Sequence, residues 1–171
     1  MSLALGLLLL RLSVGALVAA HGAQKFLGWF GGPGMGKATG MMTAMGFRPA
    51  RFWALLGSGG EFFGGILFAL GLLWPLGPVA IFASMLMAIV RFHLPGPLLG
   101  AKGYEYPLLL LIVGVVVGLV GAGNYSLDAA LHLHFPTTLL FWIGAAGAGI
   151  VDAVGYFTST AKQKEATAAH A

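Results

Sequence analysis

A run of 29 positions, residues 62–90, contains no Asp, Glu, Lys or Arg. One membrane-spanning helix needs about 20 apolar residues, and two need roughly 40. The run is too long for one span and too short for two, and at its middle stands Trp74-Pro75-Leu76-Gly77-Pro78, a tight break. Two helices meeting there must each reach outward past the charges that bound the run. A helix over 52–73 then carries Glu61 inside the membrane, and its return partner covers 76–92.

The rest of the chain agrees with lipid as the solvent. Charged residues make up 8% of the sequence, against roughly 25% in an ordinary soluble domain, and the mean hydropathy is +0.92. A water-soluble globule is excluded. Glycine fills 28 positions, about twice its usual ~7% share, which in a membrane implies close helix packing. The net charge of +4 is scattered, with no dense basic patch for nucleic acid. Cysteine is absent, so any redox chemistry needs a bound cofactor or a partner.

Further spans are predicted over 3–27, 106–127 and 136–157, giving an all-α polytopic membrane bundle with four core helices and a fifth transmembrane helix. The first is read as a span rather than a cleaved leader, because no basic residue precedes it and Arg11 interrupts it. Asp152 alone argues against the fifth. With five spans, Lys25, Lys37, Arg48, Arg51, Arg91, Lys102, Lys162 and Lys164 lie on one side and no Lys or Arg on the other. The positive-inside rule then puts the N-terminus outside and the C-terminus in the cytoplasm of a cell with a multi-pass plasma or inner-membrane protein. Trp29, Trp53, Trp74 and Tyr104 fall near predicted span ends, where interfacial aromatics belong.

Ala38, Met41, Met42 and Met45 follow helical spacing and suggest a short helix in the interface. Ser126 or Asp128 would cap a short helix over 127–133. The domain division is 1–130 for the four-helix unit, 131–158 for the fifth helix and 159–171 for a polar flexible tail.

An ionisable group inside the bilayer marks a functional site by default. Arg11, His21 and Lys25 share one stripe of the first helix, and Gly57, Gly60, Gly64 and Gly71 flank Glu61 on the second. In an antiparallel pairing Arg11 lies about 12 Å and Glu61 about 18 Å below the outer face, within reach of a long side chain. Arg11, Glu61, His21 and Lys25 thus form an intramembrane polar site. Two readings stand: an Arg11–Glu61 ion pair that sets helix register, or a site for a proton or a quinone carbonyl. A second group, Gln24, Arg91, His93, Lys102 and Glu105 beside His21 and Lys25, gathers near the basic end, either as a head-group or quinone pocket or as snorkelling side chains. Tyr125 and Asp128 belong to a helix-end motif. No metal site is expected, since His132 and His134 are too few ligands.

Four stretches carry a resemblance: Arg11 through His21-Gly22-Ala23-Gln24-Lys25; Gly60-Glu61-Phe62-Phe63-Gly64-Gly65 with Leu67 and Gly71; Lys102-Gly103-Tyr104-Glu105-Tyr106; and Gly121-Ala122-Gly123-Asn124-Tyr125-Ser126-Leu127-Asp128. In order and spacing they resemble the DoxX family of small membrane proteins. The resemblance implies a four-helix membrane fold over about residues 5–130 and a link to thiosulfate:quinone oxidoreductase and oxidative-stress systems. It points to Arg11, Lys25, Glu61, Glu105 and Asp128. Ala101-Lys102 and Ala122 depart from the family's usual residues.

The expected function is an integral membrane subunit of a quinone-linked oxidoreductase, with a quinone as the candidate cofactor and the lipid bilayer plus a protein partner or second copy as its surroundings. A proton-coupled permease and a structural anchor are the alternatives from other classes.

Overall fold

The computed structural model describes residues 2–94, 96–100 and 103–168, and all its long elements are helices. The charge-free run folds back where its prolines stand. Helix α3 (Ala50–Leu70) stops at Gly71, whose φ of 64° is the left-handed conformation that glycine adopts at a helix end. Helix α4 (Leu76–Met87) starts after Pro75 and continues as a π-helical segment, Ala88–His93. Glu61 is therefore deep inside α3.

Around this hairpin lie α1 (Ser2–Phe26), a short α2 (Gly34–Ala44), α5 (Glu105–Val120), the single turn α6 (Leu127–Ala130) and α7 (Thr137–Ala168). Helix α1 packs on α3, α4 on α3, α5 and α7, and α2 lies across α1 and α3. The core is built from Val18, Phe68, Trp74, Ile81, Met85, Leu110 and Val117. Large apolar side chains such as Leu9, Phe63, Leu109, Trp142 and Ile150 point outward, the arrangement expected when lipid is the solvent. Four helices are long and apolar enough to cross a membrane: α1, α3, α4 with its π segment, and α7 up to Ala161. The protein is a polytopic helix bundle.

The structure differs from the sequence-based expectation in several elements, among them the short outer helix, which covers Leu127–Ala130 rather than 127–133. Helix α5 has 16 residues rather than the 22 expected, about 24 Å of rise against a hydrocarbon core of about 30 Å. It ends early because Gly121 takes a φ of 99°. Helix α7 runs on to Ala168, past the point where a polar tail was expected. The hydroxyls of Thr158, Ser159 and Thr160 donate to carbonyls of the preceding turn, so polar residues there do not break the helix. Trp74, expected at the interface, is only 2% exposed in the core. Its indole N–H donates to the Gly118 carbonyl at 3.4 Å.

Candidate functional site

Helices α1 and α3 touch backbone to backbone. An ideal Cβ on Gly15 would lie 2.6 Å from the Gly65 carbonyl oxygen, one on Gly65 would lie 2.5 Å from the Ala19 nitrogen, and one on Gly22 would overlap the Phe62 backbone. These contacts fix the register. Arg11 comes level with Gly71 and Lys25 with the turn of Glu61, so Arg11 and Glu61 sit ten residues apart along α3, about 15 Å at helical rise. The expected Arg11–Glu61 pair does not form. Aligned helix ends would bring the two within reach, whereas the glycine contacts slide α1 along α3.

Glu61 instead pairs with Lys25, whose ammonium donates to Oε1 at 2.6 Å and Oε2 at 2.7 Å. Glu61 is only 5% exposed. A buried carboxylate in an apolar bundle needs such a partner, since its desolvation is otherwise uncompensated.

Arg11 belongs to a separate cluster at the opposite end of the bundle. It is 1% exposed, donates through Nη2 to the Tyr125 carbonyl, and lies against Gly71, where a Cβ would overlap its guanidinium. Asp128 accepts from the backbone N–H groups of Leu73 and Trp74, both at 2.8 Å, and its own N–H donates to the Gly71 carbonyl at 3.0 Å. Ser126, not Asp128, caps α6, accepting from Ala129. Asp128 therefore ties the α3–α4 turn to the 121–136 connection, and Tyr125 takes part through its carbonyl. Every hydrogen-bond partner named in this cluster is backbone, and Arg11 Nε and Nη1 are buried without a partner.

The second predicted group is only partly assembled. Arg91 donates to the Met45 carbonyl at 2.6 Å and stacks over Phe47. Glu105 accepts from the Gly100 N–H at the start of α5. The His21 ring meets the Tyr106 hydroxyl at 3.4 Å on an exposed flank, and Gln24 lies against Gly32. Lys102 lies outside the described residues. Of the two groups, Lys25, Glu61 and His93 face a common space.

That space is a cavity of about 560 Å³ between α3, α4 and α7, covered at one side by Ala38, Met41 and Met42 of α2. Its origin is legible in three helix faces of identical spacing: Ala54, Gly57, Ser58 and Glu61 on α3; Ala80, Ala83, Ser84 and Met87 on α4; Gly144, Gly147, Ala148 and Val151 on α7. Small residues at i, i+3, i+4 and i+7 share a face. Helices α3 and α4 close on each other where Gly64 meets Ala80, and open towards Gly57, which has nothing within 4 Å of an ideal Cβ. The glycine stripe is thus half contact and half cavity wall. Asp152 also lines the cavity, with its Oδ2 buried and without a hydrogen-bond partner. In the sequence Asp152 stands out only as an obstacle to a span. The rule that singled out Glu61, an acid within an apolar helix, applies equally to it.

A family-model comparison matches DoxX over residues 6–94. The chain belongs to the DoxX family. The match covers α1 through the π segment, so the DoxX unit supplies Lys25, Glu61 and two walls of the cavity, while α7 and Asp152 lie beyond it. No curated protein and no solved structure matches the chain.

Proposed function

We propose that this DoxX protein is the integral membrane subunit of a quinone-linked oxidoreductase, of the thiosulfate or oxidative-stress type, and that its central cavity holds the quinone head group. The observation that carries this reading is a 560 Å³ space with almost wholly apolar walls and the Lys25–Glu61 pair set into one of them. Its volume falls in the ~300–1,000 Å³ range of small-molecule pockets. An ammonium has three N–H donors. Two of Lys25's point to the Glu61 oxygens, which leaves the third for a ligand carbonyl. Glu61 holds that ammonium in place, and the Trp53 ring and the Met42 and Met87 side chains offer apolar surface to a flat ring.

A quinone supplies two-electron, two-proton carrier chemistry when bound. This chain has no cysteine, so a protein partner would supply the electrons. The positive-inside rule places the end bearing Lys25, Lys37, Arg48 and Arg51 in the cytoplasm, and the cavity then opens nearer that side.

The test is organic extraction and mass spectrometry of the protein purified in mild detergent. A quinone should co-purify with the wild type and fall at least about tenfold in Lys25→Met, as expected for loss of a charge-assisted hydrogen bond. A wild-type preparation that neither retains nor rebinds quinone refutes the reading.

A further inference from the structure

Helices α3 and α4 meet as a wedge. An ideal Cβ on Gly64 would lie 2.4 Å from the Ala80 Cβ, so the two helices are in contact at that level. One turn along, an ideal Cβ on Gly60 has the Ser84 Oγ as its neighbour at 3.7 Å, and beyond it Gly57 meets nothing within 4 Å. The Ser84 hydroxyl therefore stands near the closed end of the central cavity, which Gly57, Gly60 and Ser84 all line. It faces the turn of α3 that carries Glu61, the carboxylate paired with Lys25.

A serine inside a helix can satisfy its hydroxyl on a carbonyl of the preceding turn. Ser58, on the facing wall of the same cavity, does so, donating to the Ala54 carbonyl. Two more donors in the wall are taken. The Trp53 indole N–H donates to the Arg48 carbonyl at 3.4 Å, and the His93 Nδ1, 2.9 Å from the Ala88 carbonyl, donates to it. Ser84 is half-buried and has no hydrogen-bond partner among the described residues, yet its oxygen is not sealed within the protein. A hydroxyl carries one donor and two acceptor lone pairs. Here the donor is uncommitted, in an apolar setting where an unmet polar group is costly.

We propose that Ser84 is a ligand-binding residue of this cavity, whose hydroxyl donates to a carbonyl oxygen of the quinone ring at the closed end of the wedge. This rests on the quinone reading above and adds to it a second anchor and an orientation. Lys25 comes from α1 and Ser84 from α4, and both reach the Gly60–Glu61 turn of α3. Two donors from different helices restrict the tilt of a flat ring that one donor leaves free to swivel. From its held oxygen the ring extends towards Gly57 and Gly147, where an ideal Cβ meets nothing within 4 Å and bare backbone leaves it room.

The experiment measures binding of decylubiquinone to the detergent-purified full chain by tryptophan quenching, together with thermal melts of the ligand-free protein. Ser84→Ala should weaken binding about three- to tenfold, the loss of one neutral hydrogen bond. Its ligand-free melt should hold or rise, since the hydroxyl removed has no partner in the protein. Ser58→Ala is the control on the facing wall. Its hydrogen is already given to Ala54, so affinity should stay within about twofold. In infrared difference spectra with carbonyl-labelled quinone, the carbonyl band should move to higher frequency in Ser84→Ala, because a hydrogen bond weakens the C=O bond. Unchanged affinity or an unmoved carbonyl band in Ser84→Ala, or an equal loss in both serine variants, overturns the role of Ser84. A lowered ligand-free melt in Ser84→Ala assigns the hydroxyl to the fold and overturns it as well. In each of these cases, binding that still falls in Lys25→Met leaves the quinone reading standing. A wild type that binds no quinone overturns both.

Discussion

Replacing Gly65 by alanine tests whether backbone contact sets the register that separates Arg11 from Glu61. The added methyl would lie 2.5 Å from the Ala19 nitrogen, 2.7 Å from the Gly15 oxygen and 2.9 Å from the Ala19 Cα. Ordinary contact begins at 3.4 Å, and the obstacle is backbone, which cannot rotate aside. Helices α1 and α3 would have to part along a stretch where packing, rather than water release, holds them together. Overpacking of this kind costs about 1–3 kcal/mol. Gly57→Ala is the matched control, on the same helix with nothing within 4 Å of its Cβ. There the helix-propensity gain of up to ~1 kcal/mol is unopposed, so stability should hold or rise. Unfolding by SDS titration in mixed micelles would measure both. Equal destabilisation by the two substitutions, or no loss in Gly65→Ala, would falsify the claim that backbone contact at Gly65 holds α1 and α3 in this register.

Two further outcomes follow from the two polar clusters. Asp128→Ala removes the acceptor of the Leu73 and Trp74 N–H groups, at about 1–3 kcal/mol for each group left unmet, and Asp128→Asn, which keeps one carbonyl oxygen, should fall between it and the wild type in a thermal melt. Lys25→Met leaves the Glu61 carboxylate buried alone, towards the lower end of the ~3–5 kcal/mol typical of broken buried pairs, since the Lys25 side chain is 39% exposed. The double variant Lys25→Met with Glu61→Leu should recover most of that stability, and strictly additive losses in the cycle would show that the two groups are not coupled.

Much of the architecture was readable from residue order. An uncharged run with prolines at its centre dictates a helical hairpin, and the charges flanking it force Glu61 into the bundle. The methionine-bearing α2 followed from helical spacing, and α7 as a helix long and apolar enough to span followed from its apolar length. These inferences rest on properties of a segment and its solvent, which do not depend on which helix lies beside which.

Pairing between helices was another matter. The partner of Glu61 changed from Arg11 to Lys25 because register depends on where backbones touch, and the sequence shows many glycines without showing which are contacts. Gly65 is a contact, Gly57 is a wall and Gly71 is a turn, although all three belong to the same helix and its end. The same ambiguity hid the cavity, which appears only when three small-residue faces are set against one another. The sequence by itself determined that the chain is a membrane helix bundle carrying buried charge, because segment hydropathy and charge placement are local. Tertiary structure alone decided that Lys25, Glu61 and Asp152 line one space while Arg11 and Asp128 brace the far end, because helix register and side-chain meeting points are set by contacts distant in sequence.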